Sequence, residues 1–276
     1  MVAEFSTSPS NSQGIRELPT RPNLAFVWLA LSGFIWGAPI ILSIYLPLAF
    51  LELFLAQKSA LRIKCRKFRK KVFADAIFAY LRMQKWFHID ADLEELRKLE
   101  ESQERFLLVS NHRSHLDVFL FISQIHGLQI LAKSALFYVP VLGFMMKVTR
   151  QIPARKGDFK SLDRAFALIR KRMMNGERIL VFPEFTRCEA HWKDVNSYSL
   201  LPFQLAKKEN IKILPLVVSG TDEIWPRGSL YLRASHRKQK VVALAPLSPG
   251  EFSSVDEFRN KVHKLTREKL LEELNT

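Results

Sequence analysis

The distribution of apolar residues changes character along the chain. Residues 1–22 are rich in Ser, Thr, Pro and Asn and show no apolar period, which predicts a disordered tail. From Leu24 to Leu51 the sequence is almost wholly apolar and carries no charged residue. As a helix that stretch is about 40 Å long, more than the roughly 30 Å of hydrocarbon in a bilayer. Its length and late start set it apart from an ordinary signal peptide. Residues 23–57 are therefore expected to be a membrane anchor. Pro39 and Pro47 interrupt it, so it reads either as one kinked span or as a re-entrant pair of helices.

Residues 58–88 form a different kind of segment. Lys58, Arg62, Lys64, Arg66, Lys67, Arg69, Lys70 and Lys71 occur with no acidic residue among them. Cations beside an apolar stretch attract anionic lipid and mark the cytoplasmic side. Phe73, Ile77, Phe78, Leu81, Trp86 and Phe87 follow, suited either to the membrane interface or to packing on a globular core.

From residue 89 to 276 the pattern is that of a folded domain. Asp90–Glu104 is charged and helical in character. Phe106–Val109 reads as a strand and Leu116–Ile125 as a helix. Phe159–Met174 has helical apolar spacing, with Gly176 as its stop. Arg178–Phe182, Ile213–Val218 and Lys240–Ala245 read as strands, and Val255–Leu274 as an amphipathic helix. Strands alternating with helices predict an α/β fold.

Composition narrows the partners. Across 276 residues, 42 Lys and Arg stand against 27 Asp and Glu, a formal net charge of +15. That balance suits an anionic membrane surface or nucleic acid, but the cations cluster beside the apolar segment and no nucleic-acid recognition motif is present. Cys65 and Cys188 form neither metal spacing nor a disulfide framework.

The chemistry concentrates in two segments, each following an apolar run. Asn111-His112-Arg113-Ser114-His115-Leu116-Asp117 sets a histidine and a carboxylate five positions apart, at an expected strand-to-helix turn. An imidazole can take a hydroxyl proton while a carboxylate fixes its tautomer. The second segment is Phe182-Pro183-Glu184-Phe185-Thr186-Arg187. His115 is a rival base, Cys188 a rival nucleophile, and His112, His115 and Asp117 could in type bind a metal, though no fourth ligand is evident.

Together these segments resemble the glycerolipid acyltransferase family, typified by the 1-acylglycerol-3-phosphate acyltransferases. The first block is matched by Asn111, His112 and Asp117, and the third by Phe182 to Arg187. The second ends at Ile152-Pro153-Ala154-Arg155, and a fourth, apolar-Pro-apolar, matches Leu214-Pro215-Leu216. Phe185 stands where the family has Gly, and a ring there is expected to reshape the acceptor pocket.

The resemblance implies a mixed sheet flanked by helices, His112 as base and Asp117 as its orienting carboxylate. It implies substrate binding by Arg155, Glu184, Thr186 and Arg187, with Lys133 assisting, and no metal. The activity implied is transfer of a fatty acyl group from a thioester to a lysophospholipid hydroxyl, 1-acyl-glycerol-3-phosphate first, in phospholipid biosynthesis. Acyl-CoA or acyl-carrier protein would be co-substrate, with no further cofactor. The partners would be the lysophospholipid and anionic membrane lipids, with the active domain on the cytoplasmic side of a membrane. Alternatives are another lysolipid or an amino-acid lipid as acceptor, a lipid-binding pseudoenzyme, or a membrane-tethered nucleic-acid-binding protein.

Overall fold

A computed structural model describes residues 35, 36, 39, 41–56, 59–84, 88–101, 104–138, 142–189, 192–229, 232, 233, 235 and 237–275. Seven strands form one mixed sheet: β1 (Ile89–Asp92), β2 (Phe106–Ser110), β3 (Gln129–Lys133), β4 (Ile152–Ala154), β5 (Ile179–Val181), β6 (Lys212–Ser219) and β7 (Gln239–Ala243). Their order is β1-β7-β6-β2-β5-β3-β4. From β6 through β4 neighbouring strands are parallel. β7 runs antiparallel to β6, and β1 is parallel to β7.

The central strands are buried on both faces, which is why they read as unbroken apolar runs. All five residues of β2 are buried. Leu107 and Val109 face one layer, with α6 (Phe159–Met174), α7 (Leu201–Lys208) and α9 (Val255–Asn275), through Ile169, Phe203 and Phe258. Phe106 and Leu108 face the other, with α3 (Glu94–Glu101) and α4 (Leu116–Gln124), through Leu96 and Phe121. This two-residue alternation sorts one strand between two hydrophobic cores.

Several elements depart from the sequence reading. Asp90–Glu104, expected to be helical throughout, opens as β1 and is helical only over α3. β1 lies at a sheet edge, where Ile89 and Ala91 are half-buried and Asp90 and Asp92 are exposed, the charged edge that discourages further pairing. β4 is the other edge, which tolerates Pro153 because an edge N–H need not join the ladder. β3, β4 and α7 were not foreseen as elements.

The expected tail, 1–22, lies outside the described residues, as does much of the expected anchor, 23–57. In the anchor's described stretch a π-helical turn, Ile41–Tyr45, leads into α1 (Leu46–Phe54), with Pro47 in its first turn. Among the described residues no helix is long and apolar enough to cross a membrane. α2 (Ala60–Met83) follows, its first turn capped by the Ser59 hydroxyl, which accepts from the Arg62 N–H at 3.2 Å.

The basic segment does not present all its cations outward. Arg69 is buried, bonds Glu52 Oε1 of α1 through Nε at 2.8 Å, and lies 4.6 Å from the Tyr45 ring centroid. Arg66 Nε also reaches Glu52, at 3.4 Å, and Lys71 pairs with Asp75 one turn on. Of the aromatic stretch, Phe73 and Ile77 pack on the α4 side of the sheet and Leu81 is buried. Residues 85–87 lie outside the described residues.

Candidate active site

Five parallel strands point their carboxyl ends the same way, so the segments leaving them assemble at one edge of the sheet. β2 leads to His112, β5 to Glu184, β3 ends at Lys133, β4 leads to Arg155, and β6 leads to Thr221. β2 sits between β5 and β6, so His112 is flanked by both exits.

Asn111 ends the strand by imitating one. Its side-chain amide donates to the Val218 carbonyl and accepts from the Val218 N–H, both at 2.9 Å, continuing the ladder to β6 beyond Ser110. The chain then turns into α4, whose first turn carries Asp117. That carboxylate is fully buried and well bonded. Oδ2 accepts from His112 Nδ1 at 2.9 Å, from the Arg113 N–H at 2.7 Å and from the Ser114 N–H at 2.9 Å. Oδ1 accepts from the Thr221 hydroxyl. A carboxylate fixed on Nδ1 holds the ring proton there and leaves the lone pair on Nε2. The imidazole stacks on Phe182, ring centroids 4.1 Å apart, which sets its plane. The His112 side chain keeps 15% exposure against 0% for Asp117, so the imidazole is reachable and its partner is not.

The β5 exit grips the same histidine by its backbone. Glu184 Oε1 accepts from the His112 N–H at 2.9 Å, and the Cys188 N–H donates to the His112 carbonyl at 2.9 Å. Glu184 Oε2 accepts from the Asn196 backbone and side-chain amides. Burial pushes the Glu184 carboxyl up to about 7, against the pull of these N–H donors. Glu184 thus braces the turn and is spent on protein groups.

Both rivals separate from His112. His115 makes no bond to Asp117; it packs edge-on to Trp225, and burial, with Arg187 and His112 nearby, pushes its imidazole down to about 4. Cys188 is buried and its thiol is pushed up to about 12 by that burial, so it stays protonated at neutral pH. Among the described residues no cluster of three or more His, Cys, Asp or Glu is arranged to hold a metal ion.

The remaining candidates spread along the carboxyl edge. Arg187 is half-buried, and burial, then the neighbouring Arg227, push its guanidinium below its ordinary range. Arg227 Nη1 donates to the Arg187 carbonyl at 3.1 Å. The Thr186 hydroxyl donates to the Arg187 carbonyl at 3.4 Å. Lys133 and Arg155 are exposed at the ends of β3 and β4, two and three strands from β2. At about 4.8 Å per strand, that places β3 roughly 10 Å and β4 roughly 14 Å from the histidine's strand. The structure therefore brings His112, Asp117, Glu184 and the 186–188 turn together, and leaves Lys133 and Arg155 apart.

Three supporting residues escaped the sequence reading. Thr221 bonds Asp117, Asp222 forks onto Arg113 through 2.8 and 2.6 Å contacts, and Asn196 holds Glu184. The signal for the first two was Gly220-Thr221-Asp222 following the fourth block. Gly220 has φ +80, and a Cβ there would meet the Lys238 carbonyl oxygen at 2.4 Å, so only glycine makes this turn.

The acyltransferase family profile matches residues 90–219. A chloroplastic 1-acyl-sn-glycerol-3-phosphate acyltransferase of Brassica napus is 29% identical over 178 residues, 62% of this chain and 49% of that one. The 1-acyl-sn-glycerol-3-phosphate acyltransferase of Saccharomyces cerevisiae is 28% identical over 166 residues, 57% of this chain and 52% of that one. The chain thus spans about half the length of these curated relatives. Among solved structures, the 1-acyl-sn-glycerophosphate acyltransferase PlsC of Thermotoga maritima aligns with a TM-score of 0.70 at 22% identity. That alignment covers 92% of this chain and 97% of that one, a likeness of fold.

Proposed function

We propose, from the acyltransferase family profile that residues 90–219 match, that the chain is an O-acyltransferase acting on a lysophospholipid, 1-acylglycerol-3-phosphate above others. The observation that carries the reading is the buried Asp117 carboxylate on His112 Nδ1, at a parallel strand's carboxyl end, within a turn clamped by the β5 exit. His112 Nε2 takes the proton of the acceptor hydroxyl as its oxygen attacks the thioester carbonyl carbon. The tetrahedral adduct collapses, the carbon–sulfur bond breaks, and the imidazolium returns its proton to the leaving thiolate. Asp117 is a positioning residue that stabilises the imidazolium.

Arg187 is the favoured phosphate ligand. Arginine presents planar paired donors to phosphate. In 1-acylglycerol-3-phosphate the phosphate lies only a few bonds from the reacting hydroxyl. Arg187 adjoins Cys188, whose N–H bonds the His112 carbonyl, whereas Arg155 leaves a strand roughly 14 Å away. Arg155 and Lys133 then serve a more distant part of the substrates, such as the acyl thioester's carrier.

The working surface is a membrane, with residues 23–57 as the attachment and the cytoplasmic leaflet as the side. Exposed Phe119, Tyr138, Phe159 and Trp192 lie in segments that leave the carboxyl ends of β2 to β5, and apolar aromatic edges suit a bilayer interface. The acyl donor is coenzyme A or carrier-protein thioester, with no further cofactor.

The test compares 1-acylglycerol-3-phosphate with 1-acylglycerophosphocholine as acceptors for the purified protein in detergent. The phosphate monoester should be preferred, and Arg187→Ala should raise its KM about 10- to 100-fold while Arg155→Ala raises it less. Equal use of the choline lysolipid, or an unchanged acceptor KM in Arg187→Ala, removes the substrate assignment.

A further inference from the structure

The segment that follows β6 folds back over the first block's turn. Thr221 and Asp222 bond Asp117 and Arg113 there. The Ser114 hydroxyl then donates to the Trp225 carbonyl at 2.8 Å, and the His115 ring meets the Trp225 ring edge-on at 5.4 Å. A tight turn comes next. The Ser229 N–H donates to the Pro226 carbonyl at 3.2 Å, the Trp225 indole N–H donates to the Ser229 carbonyl at 2.9 Å, and Gly228 takes φ +80. Arg227 is the second residue of that turn. Its side chain is thereby delivered to the third block, where Nη1 donates to the Arg187 carbonyl at 3.1 Å.

Two guanidinium groups thus stand together at the 186–188 turn. After burial, the charge of Arg227 is the main influence holding the Arg187 guanidinium below its ordinary range. The Arg187 side chain has no hydrogen bond or ion pair among the described residues. The carboxylates around this turn are committed elsewhere. Arg113 forks onto Asp222. Asp117 accepts from His112, two backbone N–H groups and Thr221. Glu184 accepts from His112 and Asn196. Glu189 pairs with Arg227, but its side chain is 71% exposed, where an ion pair contributes little. Both contacts of Arg227 use Nη1, so its Nε and Nη2 donors stay open among the described residues, on a side chain that is 37% exposed.

We infer that Arg227 is a second ligand of the acceptor's phosphate and forms with Arg187 a pair that selects a phosphate monoester over a phosphodiester. The inference rests on the proposed lysophospholipid acceptor and identifies the part of it that the site reads. A phosphate monoester has a second pKa near 6, so at neutral pH it carries close to two negative charges, against one for a diester. Two guanidinium groups match that charge, and each offers planar paired donors to the free oxygens. A diester has one oxygen fewer to offer and brings its choline cation to the same place. Glu189 occupies Arg227 in the free protein and yields it to the incoming phosphate.

Equilibrium binding to the full chain in neutral detergent, with no acyl donor present, tests this apart from turnover. The probes are 1-octanoylglycerol-3-phosphate and 1-octanoylglycerophosphocholine, titrated by calorimetry near neutral pH, and each variant is shown to be folded by its unfolding transition. Wild type should bind the monoester more tightly. Arg227→Ala should weaken that binding about 10- to 100-fold while changing the Kd of the choline lipid less than about threefold. Arg227→Lys, which keeps the charge without the paired donors, should lose part of the monoester affinity. Glu189→Gln should raise it about twofold, a gain that a purely structural Arg227 would not give. No preference for the monoester in wild type overturns both the acceptor assignment and this pair. A preference that Arg187→Ala loses and Arg227→Ala keeps overturns the role of Arg227 alone, as does equal weakening of both lipids in Arg227→Ala. Should the alanine variant not fold, monoester affinities equal to wild type in both Arg227→Lys and Glu189→Gln overturn it.

Discussion

Phe185 sits at φ +49, in the left-handed region that glycine occupies freely. The resemblance places a glycine at this position, and the backbone takes a conformation that glycine favours. The sequence led us to expect a ring that reshapes the acceptor pocket; the structure packs it, half-buried, against the core cluster that includes Val195 and Tyr198. The ring offsets a backbone cost of about 1–2 kcal/mol. Phe185→Ala should lose that packing and keep the cost, while Phe185→Gly loses the packing and sheds the cost. Chemical denaturation should therefore find the Gly variant about 1 kcal/mol more stable than the Ala variant, the reverse of the usual order. An Ala variant as stable as the Gly variant would mean that the turn is unstrained. At this scale His112 and Asp117 were legible because six consecutive residues contain both. Thr221 and Asn196 were not, because their contacts with Asp117 and Glu184 depend on strand order and on a loop path that no local period encodes.

Between elements, Glu184 is the strap. It joins the β5 exit, the β2 exit and the loop before α7, and that loop is tied in turn to α9 by Arg267–Asp194 at 2.7 Å and His263–Asn196 at 3.1 Å. Its carboxyl titrates near 7 when folded, against about 4.3 for an unperturbed glutamate. A raised folded pKa means the folded state holds the proton more tightly. Its stabilising contribution is complete below the unfolded value and is lost as pH rises to about 7, beyond which it is flat. The loss across that window should be on the order of 3 kcal/mol, and Glu184→Gln should lack it. Unfolding free energies measured from pH 4.5 to 8 check this; parallel profiles for wild type and Glu184→Gln would contradict it. Elements were legible where burial imposed a pattern: β2 and β6 as apolar runs, α6 and α9 as helical periods. β4, three residues with a proline at a sheet edge, and β1, half of it aspartate, carried too little apolar signal. The basic run before residue 72 was misleading in part, because Glu52, which holds Arg66 and Arg69, precedes it on another helix.

For the whole molecule, strand order decides function. An order of β1-β7-β6-β2-β5-β3-β4 sets the first block's strand between those of the third and fourth, although more than sixty residues separate the first block from the third and almost a hundred from the fourth. The α/β class followed from alternating patterns, but this order does not follow from local sequence. The same topology sends five carboxyl ends to one edge, where the groups proposed for acyl transfer stand. The central claim is the proposed role of His112, at the centre of that edge, as the base. The most direct test is the initial rate of acyl transfer from palmitoyl-coenzyme A and palmitoyl-carrier protein to 1-acylglycerol-3-phosphate, for wild type and for His112→Ala shown to be folded by its unfolding transition. The expected result is turnover by wild type and a fall of about 100- to 10,000-fold in the variant with the better donor. A folded His112→Ala protein that turns over within a few-fold of wild type would contradict the assignment of His112 as the base.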